Sequence, residues 1–448
     1  MSDSDALWIK DPLAIMADGA ERGVVVAEGR IVELVGAGRE PKTAGAMPFE
    51  AGAHVVVPGL INTHHHFYQT LTRAVPAALD RELFPWLKAL YPIWARLTPE
   101  ALDLGATVAM AELMLSGCTT TTDHHYVFPA GLEDGIDIEI AAAKRLGLRV
   151  LVTRGSMNLS ERDGGLPPDS VVQDEDAILA DSKRLVDRYH ERGEAAMVQV
   201  ALAPCSPFSV TTSLMRSTAD LASKLGVRMH THLAETEDEN KFCESLYGCR
   251  PLDYLEDCGW LNERVWLAHG VHFKAEEMPR LAKGGVSISH CACSNQVLGS
   301  GTCPVCDLEA AGVRIGLGVD GSASNDGSNL MQEVRAAFLL QRARYGVTKV
   351  SHKDALRWAT KGSAACVGRA ELGEIAVGKR ADFALFKLDE LRFTGHGDPL
   401  AALVLCGAHR ADRVMVNGRW TVQDGAIPGL DVVALMRRHQ EAARKLRG

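Results

Sequence analysis

The chain has 448 residues, a length that allows one large α/β domain with an accessory domain, or two to three domains of ordinary size. With 46% hydrophobic and 23% charged residues, its composition is that of a soluble globular protein. The net charge of -9 provides no basic surface field, so we expect neither nucleic acid nor a membrane as a partner.

The amino-terminal residues bear on the location of the protein. Met1-Ser2-Asp3-Ser4-Asp5 lacks the basic and apolar segments of a signal peptide. No apolar run is long enough to span a bilayer. We therefore expect a cytoplasmic protein.

The two ends of the chain share a pattern of short apolar runs separated by turns. Residues 6–58 alternate such runs with glycine and charged residues, including a tight turn at Glu28-Gly29. Similar runs return at 381–386 and 413–420. The pattern predicts a small β-sandwich domain built from both chain ends, residues 1–58 and 371–448.

The stretch from Val55 to His66 is the most informative in the chain. The β-branched run 55–57 predicts a buried strand whose carboxyl end leads into His64, His65 and His66. Alternation along an extended chain points His64 and His66 to one face and His65 to the other. Two neighbouring imidazoles form half of a metal site, although three successive histidines also occur in solvated loops.

The segment 67–97, which follows these histidines, is rich in aromatic residues. It contains Phe67, Tyr68, Phe84, Trp86, Tyr91 and Trp94. We expect either a small packed subdomain or a lid over the site, and the two are compatible.

Between the two ends, strand-like runs alternate with helical stretches, which predicts βα units. One helix is predicted to begin at Thr98-Pro99-Glu100, with proline at the first helical position, and to run to Gly117, and another is predicted over 174–193. The later strands are predicted at 119–123, 150–153, 198–204, 227–232, 265–269, 286–290 and 315–320. With the first strand they make eight, which favours a (β/α)8 barrel, the TIM-barrel fold, over residues 59–370.

Chemically active residues stand where several of these strands end. His232 and Glu235 follow the fifth strand, His269 ends the sixth and Asp320 ends the eighth. Each alone has an ordinary structural explanation, such as a satisfied core histidine or an aspartate in a turn. Because the carboxyl ends of barrel strands meet at one face, the combination with His64 and His66 predicts a metal-dependent active site.

The eleven cysteines do not alter this prediction. Cys291-x-Cys293 and Cys303-x-x-Cys306 lie close together, but their spacing differs from the paired pattern of a structural zinc site. We expect reduced and mostly buried thiols.

The ordered motifs resemble the amidohydrolase superfamily, in the branch that contains cytosine, guanine and S-adenosylhomocysteine deaminases and triazine hydrolases. The motifs are Pro58-Gly59-Leu60-Ile61-Asn62-Thr63-His64-x-His66, His232-Leu233-Ala234-Glu235, Leu267-Ala268-His269, His290-Cys291, Gly318-Val319-Asp320 and the closing segment 373–382. The resemblance covers nearly the whole chain.

This resemblance implies a ligand set and a division of labour. His64, His66, His232 and Asp320 would hold one divalent ion, by default Zn²⁺, although Fe²⁺ suits the same ligands. Strand four offers no lysine that could bridge two metals, which favours a single ion. Asp320 would accept the proton of water, His269 would hold the nucleophile, and Glu235 would protonate the ring of the substrate. Family habit also implies a homo-oligomer.

Within the branch, the chain resembles the bacterial 8-oxoguanine deaminases. The segments 64–73, 84–88, 122–126, 153–157 and 203–208 carry this similarity. It implies hydrolysis of 8-oxoguanine to urate and ammonia, with deamination of isoxanthopterin or guanine, or hydrolysis of a triazine, as alternatives. A non-enzymatic barrel would be expected to lack the metal ligands that are present here.

Substrate contacts are predicted at Gln69, Arg154 and Cys205, besides Glu235 and His269. Gln69 follows the histidine pair and can hydrogen-bond a ring amide edge, and Arg154 ends the third strand, where it would meet a carbonyl or form an ion pair. Cys205 stands where guanine deaminases carry an arginine, which argues against ordinary guanine as the substrate. The segment His290-Cys291-Ala292-Cys293 also departs from the proline-containing form usual in relatives, so the shape of the following loop stays open.

Overall fold

The computed structural model describes residues 6–448, which form an eight-stranded barrel and two smaller sheets. The strands are β1 (Leu7–Lys10), β2 (Ala14–Ile15), β3 (Gly23–Ala27), β4 (Arg30–Leu34), β5 (Met47–Glu50), β6 (His54–Pro58), β7 (Leu60–Asn62), β8 (Cys118–His125), β9 (Arg149–Ser156), β10 (Val198–Pro204), β11 (Met229–Leu233), β12 (Val265–His269), β13 (Ser287–His290), β14 (Arg314–Leu317), β15 (Phe383–Lys387), β16 (Arg413–Val416) and β17 (Arg419–Val422).

Helices lie between most of these strands. The α-helices are α1 (Leu83–Trp94), α2 (Pro99–Leu115), α3 (Gly135–Leu146), α4 (Glu175–Tyr189), α5 (Thr212–Leu225), α6 (Glu237–Tyr247), α7 (Pro251–Asp257), α8 (Met278–Gly284), α9 (Ala292–Val297), α10 (Val305–Ala310), α11 (Leu330–Tyr345), α12 (His352–Arg357), α13 (Ser363–Cys366), α14 (Pro399–Leu405) and α15 (Val432–Arg447). Among residues 6–448, no helix is both long and apolar enough to cross a membrane.

The strands β7 to β14 are parallel and follow one another in chain order, which confirms the predicted (β/α)8 barrel. The first and last strands meet through backbone bonds at their carboxyl ends. Thr63 N–H donates to the Leu317 carbonyl at 2.9 Å, and Asp320 N–H donates to the His64 carbonyl at 3.1 Å. The closure of the barrel thus places Asp320 directly beside the first histidine of the predicted site.

The predicted helices at 98–117 and 174–193 are present. Helix α2 begins as expected, because the Thr98 hydroxyl accepts a hydrogen bond from the Ala101 N–H at 3.2 Å and Pro99 occupies the first turn. Helix α4 is capped by Asp174 but ends at Tyr189, four residues before the predicted end.

Two smaller sheets are built from the ends of the chain, as the shared pattern of these ends predicts. One sheet has the order β4-β3-β1-β5 and the other β17-β16-β15-β6-β2, so only the second combines strands from both ends. Their facing side chains form a common core that includes Ile9, Val24, Val56, Phe383 and Met415. The turn between β3 and β4 has positive φ at Glu28 and Gly29, 51° and 70°, as a tight hairpin requires.

The prediction that the strand at Val55–Val57 itself opens into the histidine cluster is wrong. These residues belong to β6, which pairs with β15 in the five-stranded sheet, and a separate strand, β7, enters the barrel. Gly59 alone separates the two strands, because Pro58 is the last residue of β6 and pairs with Phe383 of β15. A Cβ at Gly59 would lie 2.3 Å from the Thr119 side chain, so the close approach of the chains there requires glycine.

The motif that ends at Asp382 joins the smaller sheets to the amino-terminal end of the barrel. The buried Arg149 guanidinium, at the start of β9, forms an ion pair with the Asp382 carboxylate. The same carboxylate accepts a hydrogen bond from the Asn417 N–H at 2.9 Å. The carboxyl-terminal helix α15 packs against α2 of the barrel. Arg96, three residues before α2, donates a hydrogen bond to the Leu446 carbonyl at 2.8 Å. The exact domain boundaries at residues 58 and 371 stay a prediction.

Candidate active site

Four predicted metal ligands meet at the carboxyl ends of the barrel strands, and we call them the inner cluster: His64, His66, His232 and Asp320. All four side chains are buried. The Asp320 carboxylate lies 3.2 Å from His64 Nε2 and 3.3 Å from His66 Nε2. His66 Nε2 and His232 Nε2 are 3.2 Å apart. The structure therefore brings together the whole ligand set that the sequence predicts.

The hydrogen bonds at Nδ1 determine where each imidazole carries its proton. His66 Nδ1 lies 2.7 Å from the His124 carbonyl, and His232 Nδ1 lies 2.7 Å from the Cys205 carbonyl. A carbonyl oxygen only accepts, so Nδ1 is the protonated nitrogen in both rings. Burial lowers the pKa of His232 to about 3 and that of His64 well below its ordinary value. A neutral ring protonated at Nδ1 has a free lone pair at Nε2.

The inner cluster fits a divalent cation. The Nε2 lone pairs of His66 and His232 face each other at 3.2 Å, and His64 Nε2 is buried without a hydrogen-bond partner among the described residues. Such a set of electron-pair donors is costly to bury without an acceptor. Moreover, separations of 3.2–3.3 Å match the edge of a tetrahedron, roughly 3.3 Å, whose corners lie ~2.0–2.1 Å from a central ion.

Two carboxyl groups of the site have opposite protonation. Burial raises the pKa of Glu235 well above its ordinary value, and the nearby charges of Asp320 and Glu239 add to the effect. For Asp320 burial acts in the same direction, but its contacts with His64 and His66 outweigh burial and hold the pKa well below the ordinary value. One proton donor and one ionised acceptor thus stand in the same site.

His269 lies between these two carboxyl groups. Its Nδ1 donates to the Asn295 side-chain oxygen at 3.0 Å, which leaves Nε2 facing the site. From Nε2 it is 3.5 Å to Glu235 Oε2 and 3.9 Å to Asp320 Oδ2. A single small group bound beside His269 is therefore within reach of both the donor and the acceptor.

The backbone at three strand ends adopts the left-handed conformation that non-glycine residues rarely take. Ala234 has φ 55°, His269 φ 73° and Asp320 φ 63°. Strain of this kind concentrates at functional sites, where the surrounding structure holds it in place. Part of that support comes from Glu239, whose carboxylate accepts from the Ala234 N–H at 3.0 Å and the Glu235 N–H at 2.9 Å.

Glu239 and Asn295 are positioning residues that sequence reasoning missed. Glu239 lies in the first turn of helix α6, four residues after Glu235, and Asn295 lies in helix α9, which follows β13. Charged residues are common in the first turns of helices, so nothing in the pattern distinguished Glu239.

A cavity opens above the inner cluster. Its apolar wall comes largely from the segment 67–97 and is made by Leu83, Trp86, Leu87, Tyr91, Phe208 and Leu298. Trp86 Nε1 donates to the Ala323 carbonyl at 3.1 Å, so this segment closes over the barrel mouth. The aromatic segment is both packed and part of the site, while motion as a lid stays a prediction.

Four of the five predicted substrate contacts line this cavity: Gln69, Cys205, Glu235 and His269. The Gln69 side-chain oxygen is buried without a hydrogen-bond partner among the described residues. It packs so closely against Gly321 that a Cβ there would lie 1.9 Å away. Burial raises the pKa of Cys205 to about 12, so this thiol is neutral.

Arg154 is not brought to the cavity. Its guanidinium is buried on the outer side of the barrel, where it donates to Asp181 Oδ2 at 2.7 Å and to Gln173 Oε1 at 2.9 Å. The guanidinium also lies 4.0 Å from the ring centroid of Phe128. Of the two roles predicted for Arg154, the structure supports the ion pair, which is formed with Asp181. Adjacent residues of a strand point to opposite faces, and the Arg154 side chain points out of the barrel, away from the cavity.

The sequence of the chain is similar to those of known hydrolases. Residues 55–421 match the amidohydrolase family. The chain is 60% identical over 442 residues to an 8-oxoguanine deaminase of Pseudomonas aeruginosa, covering 98% of each chain. It is 35% identical to an isoxanthopterin deaminase of an unknown prokaryotic organism, covering 98% of this chain and 96% of the relative.

A solved structure extends the similarity to the fold. The crystal structure of an atrazine chlorohydrolase from Arthrobacter aurescens, complexed with zinc, is similar with a TM-score of 0.91 and 32% identity, and the match covers 98% of this chain and 100% of that one.

Proposed function

This chain belongs to the amidohydrolase family, and we propose that it is a metal-dependent deaminase that converts 8-oxoguanine and water to urate and ammonia. One observation supports the reaction above all: His269 lies between the carboxyl groups of Glu235 and Asp320. These three residues are next to the inner cluster, where the Nε2 atoms of three imidazoles converge. The choice of substrate is supported by the 60% identity to an 8-oxoguanine deaminase.

The proposed cofactor is a single divalent ion, Zn²⁺ by preference and Fe²⁺ as the alternative, held by His64, His66, His232 and Asp320. When bound, such an ion lowers the pKa of water from about 15.7 to ~7 and so supplies hydroxide at neutral pH. Nitrogen and oxygen donors suit both metals, and the absence of thiolates among these four residues disfavours softer ions.

The side chains around the cavity supply the proton transfers. Asp320, which is ionised, accepts the proton of the attacking water. Glu235, which is neutral, donates its proton to the ring nitrogen next to the amino-bearing carbon as the oxygen adds to that carbon. Asp320 passes the proton that it received to the amino nitrogen, the C–N bond breaks and ammonia leaves, and the hydroxyl proton of the adduct passes to Glu235 as the carbonyl forms. His269 orients the oxygen between the two carboxyl groups.

The shape of the cavity suits a flat heterocycle. Trp86, Tyr91 and Phe208 line it and provide aromatic faces against which a planar ring can pack. We propose that the Gln69 amide and the Cys205 thiol contact the edge of the purine, since both are buried polar groups of this wall. Arg154 has no place in this proposal.

An ammonia-release assay tests the proposal. The zinc-loaded protein is compared with 8-oxoguanine, isoxanthopterin, guanine and a triazine as substrates. We expect 8-oxoguanine to give the highest kcat/KM and urate as the product, with loss of turnover on chelation. A higher kcat/KM for guanine, isoxanthopterin or the triazine would refute the substrate assignment.

The physiological setting stays a prediction. We propose a cytoplasmic homo-oligomer whose partner is a small purine or pteridine and not a nucleic acid or a membrane. Sedimentation of the purified protein at micromolar concentration measures the oligomeric state directly, and a single species of 48.3 kDa would contradict it.

A further inference from the structure

His230 is a buried histidine that contacts the proposed metal ligand His64 on the side away from the inner cluster. His230 precedes His232 by two residues on β11, so both side chains point into the barrel. His230 Nε2 is 2.8 Å from His64 Nδ1, and His230 Nδ1 is 2.7 Å from the Trp266 carbonyl. The ring stacks on Trp266, with the centroids 4.4 Å apart and the planes 15° from parallel.

These two hydrogen bonds determine the position of every proton in the chain of rings. The Trp266 carbonyl only accepts, so His230 carries its proton on Nδ1. The ring is fully buried, and its hydrogen-bond partners among the described residues are the Trp266 carbonyl and His64, with no carboxylate to balance a charge, so the ring is neutral and its Nε2 is an acceptor. His64 must then donate from Nδ1, and its Nε2 is left unprotonated, facing Asp320 at 3.2 Å.

The three imidazoles of the inner cluster differ in this respect. His66 and His232 donate from Nδ1 to backbone carbonyls, which no side-chain substitution removes. The acceptor of His64 is a side chain. Hydrogen bonds of this kind select the tautomer of a metal-bound histidine and raise its basicity.

We propose that His230 is a positioning residue that holds His64 as its Nδ1–H tautomer and thereby keeps Nε2 available to the metal. The proposal rests on the inner cluster being the metal site, as set out under the proposed function. It assigns to His230 no contact with substrate.

His230 does not serve as a metal ligand itself in this arrangement. Its Nε2 lone pair is used by the His64 hydrogen bond, and its Nδ1 is protonated toward Trp266. The 2.8 Å between His230 and His64 is also shorter than the roughly 3.3 Å expected between two nitrogens on one tetrahedral ion.

Metal affinity tests the proposal without reference to any substrate. The metal-free protein is titrated with Zn²⁺ in competition with a chromophoric chelator, for the wild type and for His230→Leu and His230→Gln. Leucine removes the acceptor, and we expect affinity to fall roughly 10–100-fold. Glutamine can place its oxygen near the position of Nε2, and we expect it to retain affinity within about threefold of the wild type by the same reasoning.

A matched control distinguishes positioning from general damage to the core. His290 on β13 is also a fully buried imidazole, but among the described residues the hydrogen-bond partner of its ring is the Gln341 side chain, at 3.3 Å from Nε2, and not an inner-cluster ligand. We expect His290→Leu to bind Zn²⁺ like the wild type, and circular dichroism of each metal-free variant verifies folding.

Three results would overturn the proposal: unchanged affinity in His230→Leu, equal loss in His230→Gln and His230→Leu, or equal loss in His230→Leu and His290→Leu. Failure of the proposed function is separate, because a protein that does not deaminate 8-oxoguanine still gives these affinities.

Discussion

Two buried groups of histidine and acid stand close together in the barrel, and they behave in opposite ways. The inner cluster is His64, His66, His232 and Asp320. The second group, which we call the outer cluster, consists of Asp123 and His125 on β8 and Glu139 on α3, and its ligand-type atoms also lie within 4.8 Å of one another. All three side chains of the outer cluster are fully buried.

The outer cluster lacks the hydrogen bonds that organise the inner one. Within the described residues, neither ring nitrogen of His125 and neither carboxyl oxygen of Glu139 has a well-aligned partner, although His125 Nδ1 lies 3.1 Å from Glu139 Oε1. Asp123 Oδ1 accepts from the Phe67 N–H at 2.6 Å, which fixes the chain just after the histidine pair.

Protonation separates the two clusters further. Burial raises the pKa of Glu139 to about 8 and that of Asp123 well above its ordinary value, while it lowers the pKa of His125 to about 4. The outer cluster is therefore neutral near pH 7, whereas Asp320 of the inner cluster is ionised. Similar residue types at similar burial yield a metal site only where fixed tautomers aim their lone pairs at one point.

The largest expected effect comes from removing one histidine from each cluster. In His232→Ala we expect bound Zn²⁺ to be lost, and turnover of 8-oxoguanine to fall at least roughly 10³-fold, because activation of water by the ion is lost. In His125→Ala we expect unchanged zinc content and turnover within about threefold, at a cost to stability of about 1–3 kcal/mol. Elemental analysis and the ammonia assay measure both, and zinc loss in His125→Ala would break the distinction.

A second comparison uses the two carboxyl groups with raised pKa, Glu235 and Glu139. Glu235→Gln removes the proposed donor to the ring, so we expect kcat to fall roughly 10²–10⁴-fold with zinc retained. Glu139→Gln keeps the shape of a side chain that never meets the substrate, and we expect kcat to stay within about twofold on the same basis. Equal losses of kcat in the two variants would show that Glu235 has no special role.

The smallest expected effect is a change in the pH dependence of stability. The pKa of Glu139 is raised from 4.5 to about 8 on folding, so between these values the native state holds a proton that the unfolded chain releases. The free energy of unfolding therefore falls as the pH rises through this window, by up to roughly 1.4 kcal/mol per pH unit.

Glu139→Gln removes this titration, because the amide is neutral at every pH. We expect the stability of the variant relative to the wild type to increase from pH 5 to pH 8, measured by urea unfolding at both values. Titrating groups outside the outer cluster are common to both proteins and cancel in the difference, whereas Asp123 loses the neighbouring carboxyl group that contributes to its raised pKa. A difference that is the same at both pH values would mean that Glu139 is not the buried proton holder.

Sequence pattern predicted the barrel and the meeting of its strand ends at one face, and the family resemblance supplied the choice of the four ligands. The alternation of strand and helix signals identified the βα units, and parallel strands bring their carboxyl ends to one face, so His232 and Asp320 could be placed beside His64 although they are far apart along the chain. The cap at Thr98 was equally local, since it depends on a few successive residues.

Tertiary structure decided what depends on the face of a strand or on a distant partner. The run Val55–Val57 is equally compatible with either sheet, and only the partner strand β15 assigns it to the smaller one. Arg154 stands one residue from a position facing inward, and its ion pair with Asp181 shows that it faces outward. The proton positions of His64 and His230 depend on the Trp266 carbonyl, more than thirty residues further along the chain than His230. Local sequence encodes the conformation of each segment, but hydrogen bonds between segments fix tautomers and proton content only once the chain has folded.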